Sequence, residues 1–166
     1  LLGEAAENVS KIKDISFQQE NLRIKTIQSI TSDFPKEQAI IWCSYREELK
    51  ALQAVYANSQ AFTGGMTLKS ISTTMKDFES GKFQYLIAMQ QMGTGFDIPF
   101  INHSVYSTTV FDWIKRLQSE ERINRINRSR DCHIYDVICK GSIDERVQKV
   151  LEYKEEITQI FNGNKT

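Results

Sequence analysis

Several features are scarce in this sequence, and each scarcity excludes something. Only two prolines, Pro35 and Pro99, occur in 166 residues, and no low-complexity stretch or internal repeat accompanies them. No linker is therefore marked within residues 17–166, which read as one domain; residues 1–16, with weak apolar periodicity, read as a tail or the remnant of a connection. Cysteine is limited to Cys43, Cys132 and Cys139, an odd number without paired spacing. That excludes a disulfide framework or a zinc knuckle and favours free thiols in a reducing cytosol. Apolar runs are no longer than such stretches as Ala39 to Cys43, far short of a bilayer span. No basic start followed by an apolar stretch and a cleavage site marks an export signal. A formal net charge of zero gives no global sign of a nucleic-acid binder. No Gly-x-x-x-x-Gly-Lys-(Ser/Thr) loop occurs, and no Asp-Glu pair ends a strand-like run, so nothing cradles a β- or γ-phosphate or holds magnesium.

What is present is a steady alternation of helical and strand-like patterns. Leu22, Ile24, Ile27, Ile30 and Phe34 form an apolar stripe that stops before Pro35. The run from Ala39 to Cys43 has the continuous apolar character of a strand buried on both faces. Ser44 and Glu47 have capping-box spacing ahead of a helix carrying Leu49, Leu52, Val55 and Tyr56. A short strand at 60–63 runs into Gly64 and Gly65. Thr67 then caps a helix with Leu68, Ile71, Met75 and Phe78 at helical spacing. Further strands are expected at 85–89, 103–107 and 132–138, a helix at about 111–126, and a long helix capped by Ser142 with Glu145 and ending near Gly163. Such alternation predicts an α/β fold, a mostly parallel sheet with helices on both faces. Ligand sites then belong at the carboxyl ends of strands, in the loops after Cys43, Thr63, Met89, Ser107 and Ile138.

Charge is uneven along the chain. Lys115, Arg116, Arg122, Arg125, Arg128 and Arg130 crowd one segment opposed only by Glu120 and Glu121. On a helix Gln118, Arg122 and Arg125 share a face. Two guanidinium forks there suit phosphate oxygens in shape and charge, and can stabilise charge that grows on a departing γ-phosphate. The plainer reading is a solvated basic face.

The order of the short motifs resembles superfamily 2 helicases of the Swi/Snf-like branch, specifically their C-terminal lobe. Gln118, Arg122 and Arg125 match that family's last motif, a glutamine, three residues, arginine, two residues, arginine. Gly93, Gly95, Phe96, Asp97 and Ile98 match the glycine loop preceding it, and Gly141 to Arg146 match the segment that opens its closing helix. Asn21, Arg23, Ile24 and Ile27 resemble an early segment of the lobe, and residues 40–45 resemble its opening strand and loop. One departure stands out: Met89 and Gln90 occupy positions where the family usually has Ser or Thr contacting the nucleic-acid backbone.

The resemblance implies a three-layer RecA-like domain, supplying Arg122, Arg125 and Gln118 to ATP and magnesium held mainly by a separate N-terminal ATPase lobe. Gly93, Gly95 and Asp97 would border the nucleotide, Asp97 at its ribose, although Asp97 also suits a turn before Pro99. Ser44, Tyr45, Thr63, Gly64, Gly65, Gln90 and Thr94 would meet the DNA backbone; Ser44 is equally explained as a helix cap, and the Thr63 to Gly65 segment as a tight turn. On this reading the chain is half of an ATP-dependent DNA helicase or translocase, inactive and monomeric alone, without membrane contact. It would be cytoplasmic in a bacterium or infected host, nuclear in a eukaryote. The alternative is a non-catalytic module of the same fold that docks DNA or a partner; an RNA helicase is disfavoured by the Gly141 to Arg146 segment.

Overall fold

The computed structural model describes residues 22–90, 96–108, 112–123 and 131–163, with the side chains at 113, 155 and 158–163 left aside. Five parallel strands form one sheet in the order β2-β3-β1-β4-β5: β1 Ala39–Cys43, β2 Ser59–Phe62, β3 Tyr85–Met89, β4 His103–Tyr106 and β5 His133–Asp136. The helices are α1 Leu22–Ser32, α2 Arg46–Val55, α3 Leu68–Glu79, α4 Trp113–Glu121 and α5 Ile143–Gly163. All strand pairings are parallel, as the alternating pattern predicts.

The central strand explains the layering. Every residue of β1 is buried, and successive side chains point to opposite faces. Ala39, Ile41 and Cys43 pack with Ile27 of α1, Leu49 and Leu52 of α2, and Ile87, Met89 and Val105. Ile40 and Trp42 pack on the other face with Phe62, Phe78 of α3, Leu86, Tyr106, and Phe96, Ile98 and Ile101 from the β3–β4 connection. Trp42 is fully buried, and its indole N–H donates to Ser104 Oγ at 3.1 Å, so that donor is not stranded in the core.

The register lines up one row across the whole sheet: Phe62, Ala88, Trp42, Tyr106 and Asp136. The residues immediately beyond that row therefore emerge together at the carboxyl edge. This is how segments far apart in sequence come to border one surface.

Some expected details shift. The helix expected at 111–126 is described from Trp113 to Glu121, with Asp112 as its N-cap accepting from the Lys115 N–H at 3.3 Å. The strand expected at 132–138 is only four residues long and largely exposed, an edge strand rather than a buried one. Leu22, assigned to an inward stripe, is 73% exposed, while Ile27 carries the burial of α1. Val55 is likewise exposed, whereas Tyr56 just beyond α2 is buried. Cys43 is buried and Cys132 and Cys139 are half-buried, all three free. Residues 1–16 lie outside the described residues.

Candidate nucleotide and nucleic-acid site

Two motifs separated in sequence meet at one ion pair. α4 ends at Glu121, and Arg122 caps it. The backbone N–H of Ile98, in the β3–β4 connection, donates to the Arg122 carbonyl at 3.1 Å. The Arg122 side chain turns to the same connection, its Nη1 donating to Asp97 Oδ1 at 3.1 Å. Ile98 and Ile123, flanking this junction, are both fully buried and anchor it from below. The pair itself is open: the Arg122 side chain is 21% exposed and that of Asp97 is 44% exposed. Ion pairs at such exposure contribute only about 0–1 kcal/mol, so an incoming anion can displace Asp97 from the guanidinium. Gln118 lies half-buried on α4 one turn earlier. Arg125, Gly93, Thr94 and Gly95 lie outside the described residues.

Arg116 belongs to the same run of basic residues but is built differently. Its Nη1 and Nη2 donate to the two Asp136 carboxylate oxygens at 2.5 and 2.9 Å, and its Nε donates to Glu120. The guanidinium carbon lies 3.4 Å from the centroid of the Tyr106 ring. Tyr106 hydroxyl and Ser119 Oγ are 2.6 Å apart, and Ser119 donates to the Arg116 carbonyl at 2.7 Å. Burial works against the Arg116 charge, and Asp136, together with Tyr106 and Glu120, more than restores it, holding the guanidinium above its ordinary value. All three guanidinium nitrogens have carboxylate partners, and the Tyr106 ring covers one face.

At the carboxyl edge of the central strands lies a second polar centre, around Glu48. The expected capping box does not form there: the N-cap of α2 is Tyr45, with no side-chain cap bond. Glu48, not Glu47, reaches back, accepting from the Ser44 N–H at 3.0 Å. The same carboxylate accepts from the Thr108 hydroxyl at 2.8 Å and from the Ser107 hydroxyl. Gln90, which the sequence placed at the nucleic acid, is buried and turns its amide inward to the Thr108 carbonyl. Tyr45 stays exposed. On the far side of Ser107, Arg23 of α1 donates to the carbonyls of Ser107 and Val137 and pairs with Asp144 at 2.6 Å. Sequence reasoning had Arg23 only as part of a resemblance, and missed Glu48 altogether. A signal was present: Glu48 sits four residues before Leu52, on the inward stripe of α2. Burial, aided by Glu48, pushes the thiol of Cys43 beside it up.

Thr63, Gly64 and Gly65 follow β2, with both glycines exposed. Gly65 has φ +91°, a left-handed conformation that a side chain disfavours, so the turn requires glycine there. Thr67 then caps α3, accepting from the Ser70 N–H at 3.2 Å as its spacing predicts. By register this segment borders the same edge as Ser44. Ser142 likewise caps α5, accepting from the Asp144 N–H at 3.1 Å.

A parallel sheet whose carboxyl-edge loops and α4 present this set defines a RecA-like helicase lobe. Residues 22–127 match the family described as helicase conserved C-terminal domain, and the chain belongs to that family. It is the C-terminal lobe of a superfamily 2 helicase of the Swi/Snf-like branch. It is 31% identical over 122 residues to an uncharacterized ATP-dependent helicase YqhH of Bacillus subtilis, covering 71% of this chain and 22% of that protein. It is 20% identical over 152 residues to the DNA repair protein RAD5 of Cryptococcus neoformans, covering 86% of this chain and 13% of the relative. The fold matches the crystal structure of the C-terminal part of the Fun30 ATPase domain with a TM-score of 0.74 at 17% identity, over 81% of this chain and 46% of that one. The chain thus spans about a fifth or less of the length of these curated relatives. Among the described residues no helix is long and apolar enough to cross a membrane.

Proposed function

We propose that this lobe serves an ATP-driven DNA translocase or helicase, closing on a nucleotide held mainly by another lobe and gripping one DNA strand by its phosphates. The observation that carries the reading is the Arg122–Asp97 pair, in which residues 25 positions apart, from two separately recognised motifs, converge at 3.1 Å. An arginine kept close by an exposed carboxylate is charged, oriented and exchangeable. When a γ-phosphate enters, Arg122 trades Asp97 for phosphate oxygens, and Asp97 is released toward the ribose hydroxyls. Arg125, the second arginine of the same motif, adds the second guanidinium. The two arginines stabilise the charge that develops as the γ-phosphoryl group leaves.

Ser44, Tyr45 and the Thr63 to Gly65 turn border one edge, where the exposed Tyr45, Gly64 and Gly65 suit contact with phosphates rather than bases. Binding should therefore be salt-dependent and largely blind to sequence. Closing and opening of two lobes around each ATP would move the strand. Among the described residues no group of three or more His, Cys, Asp or Glu side chains could hold a metal ion.

The test uses the complete two-lobed protein. Arg122→Ala and Arg125→Ala should each lower ATP turnover about a thousandfold, as loss of an arginine finger does, while nucleotide binding by a fluorescent analogue stays within a few-fold. Turnover within threefold of wild type would remove the substituted arginine from the mechanism.

A further inference from the structure

We infer that Glu48 is a positioning residue that links the DNA-bordering loop after β1 to the segment leading into α4, and so sets how strongly DNA accelerates ATP turnover. The inference rests on the function proposed above and deepens it. Glu48 is 1% exposed, and its carboxylate is shared between two chain segments. From its own side comes the Ser44 N–H, at 3.0 Å; from the end of β4 come the hydroxyls of Thr108, at 2.8 Å, and Ser107. Ser44 N–H also donates to Thr108 Oγ1 at 3.0 Å, and Ser44 Oγ reaches the Thr108 carbonyl at 3.5 Å. Gln90, at the end of β3, donates to that same carbonyl.

One buried acid thus gathers the ends of β1 and β4, with Gln90 of β3 joining through Thr108. A buried carboxylate is tolerated only where donors surround it, and here the donors come from the segments just beyond the ends of β1 and β4. Fixing those loops is what the arrangement does. Ser44 and Tyr45 border the proposed strand contact, whereas Thr108 precedes the connection to Asp112, the N-cap of α4, and α4 carries Gln118 and ends at Arg122. A phosphate drawn onto Ser44 or Tyr45 therefore pulls on Thr108, four residues before Asp112 at the start of the arginine-bearing helix. The helix position adds to this: Glu48 lies in the first turn of α2, where a negative group is favoured by the helix dipole.

The experiment measures ATP turnover of the complete two-lobed protein against concentration of a double-stranded oligonucleotide. Glu48→Gln keeps the shape but replaces one acceptor oxygen with a donor. Its DNA concentration for half-maximal stimulation should rise about tenfold and its maximal stimulation should fall, while turnover without DNA stays within twofold. Thr108→Val, which deletes one donor, should move the same way, and Thr108→Ser, which keeps it, should restore wild-type behaviour. A merely structural role would lower turnover equally with and without DNA and would not separate Val from Ser. Should Glu48→Gln fail to fold, the two Thr108 variants decide alone. Stimulation unchanged in Glu48→Gln, or Val and Ser indistinguishable at position 108, overturns the inference and leaves the proposed function standing. A wild-type protein whose turnover ignores DNA overturns both.

Discussion

Arg116 and Arg122 lie six residues apart at the two ends of one short helix, and their surroundings differ in kind. Arg116 is buried on the face of Tyr106, with Asp136 and Glu120 occupying its donors. Arg122 meets Asp97 at a surface that water reaches from both partners. The first arrangement ties α4 to β5 and cannot be exchanged without opening the fold. The second can be traded for a ligand at small cost. Two guanidinium groups of equal charge thus divide into a fastener and a candidate catalyst, and what divides them is how far each is withdrawn from water.

The larger stability effect belongs to the fastener. Arg116→Ala leaves Asp136 and Glu120 without their shared cation and strips the Tyr106 ring, so it should lower the unfolding free energy by about 3 kcal/mol, read as a shifted denaturant midpoint at unchanged slope. A loss below about 1 kcal/mol would place Arg116 in the same class as a surface arginine and break the contrast. Arg122→Ala should cost less than about 1 kcal/mol, and added salt should shrink even that. A loss as large as that of Arg116→Ala would show the Asp97 pair to be structural, and the exchange proposed for it would fail.

This division marks where reading the sequence ran out. The strands, their parallel order, and the caps at Thr67 and Ser142 were legible, because alternation, apolar runs and cap spacing are local signals. The meeting of Asp97 with Arg122 was legible only as two motifs, each assigned to the nucleotide; that they contact one another depends on the path of the β3–β4 connection. Arg116 looked like one more charge in a basic run, since its partner Asp136 is 20 residues away and arrives only when β5 pairs with β4. Gln90 was assigned to the nucleic acid by its place in the resembled loop, and its bond to the Thr108 carbonyl could not be read from residues 18 positions apart. Glu48 was passed over because capping-box spacing drew attention to Glu47. The short, exposed β5 misled in the opposite direction: its apolar letters suggested a buried strand, but an edge position needs no burial. The site expectations at Gly93, Thr94, Gly95 and Arg125 fall outside the described residues and stand as proposals.

A third charged pair tests the same rivalry between burial and partnership at the opposite end of the sheet, with the smallest expected effect. His103 opens β4; its Nε2 lies 3.1 Å from Glu37 Oε2, and its ring stacks on Phe34 with centroids 3.8 Å apart. Its Nδ1 is 3.5 Å from the Tyr135 hydroxyl, and the His133 ring is 5.3 Å away. A carboxylate so near would by itself favour the charged ring. Burial outweighs it, aided by the His133 ring, and the His103 pKa is lowered from the ordinary 6.5. A base whose folded pKa lies below its unfolded value holds fewer protons when folded than when unfolded, so its contribution to stability is present above about pH 6.5 and declines as pH falls through the lowered value. Thermal unfolding should therefore move to lower temperature on acidification below pH 6.5, and His103→Gln should flatten that part of the profile by a small amount. The ring titration followed by NMR gives the sign directly: a His103 midpoint above 6.5 would mean that Glu37, although half-exposed, prevails over burial, and that partnership rather than desolvation sorts the charged groups of this lobe.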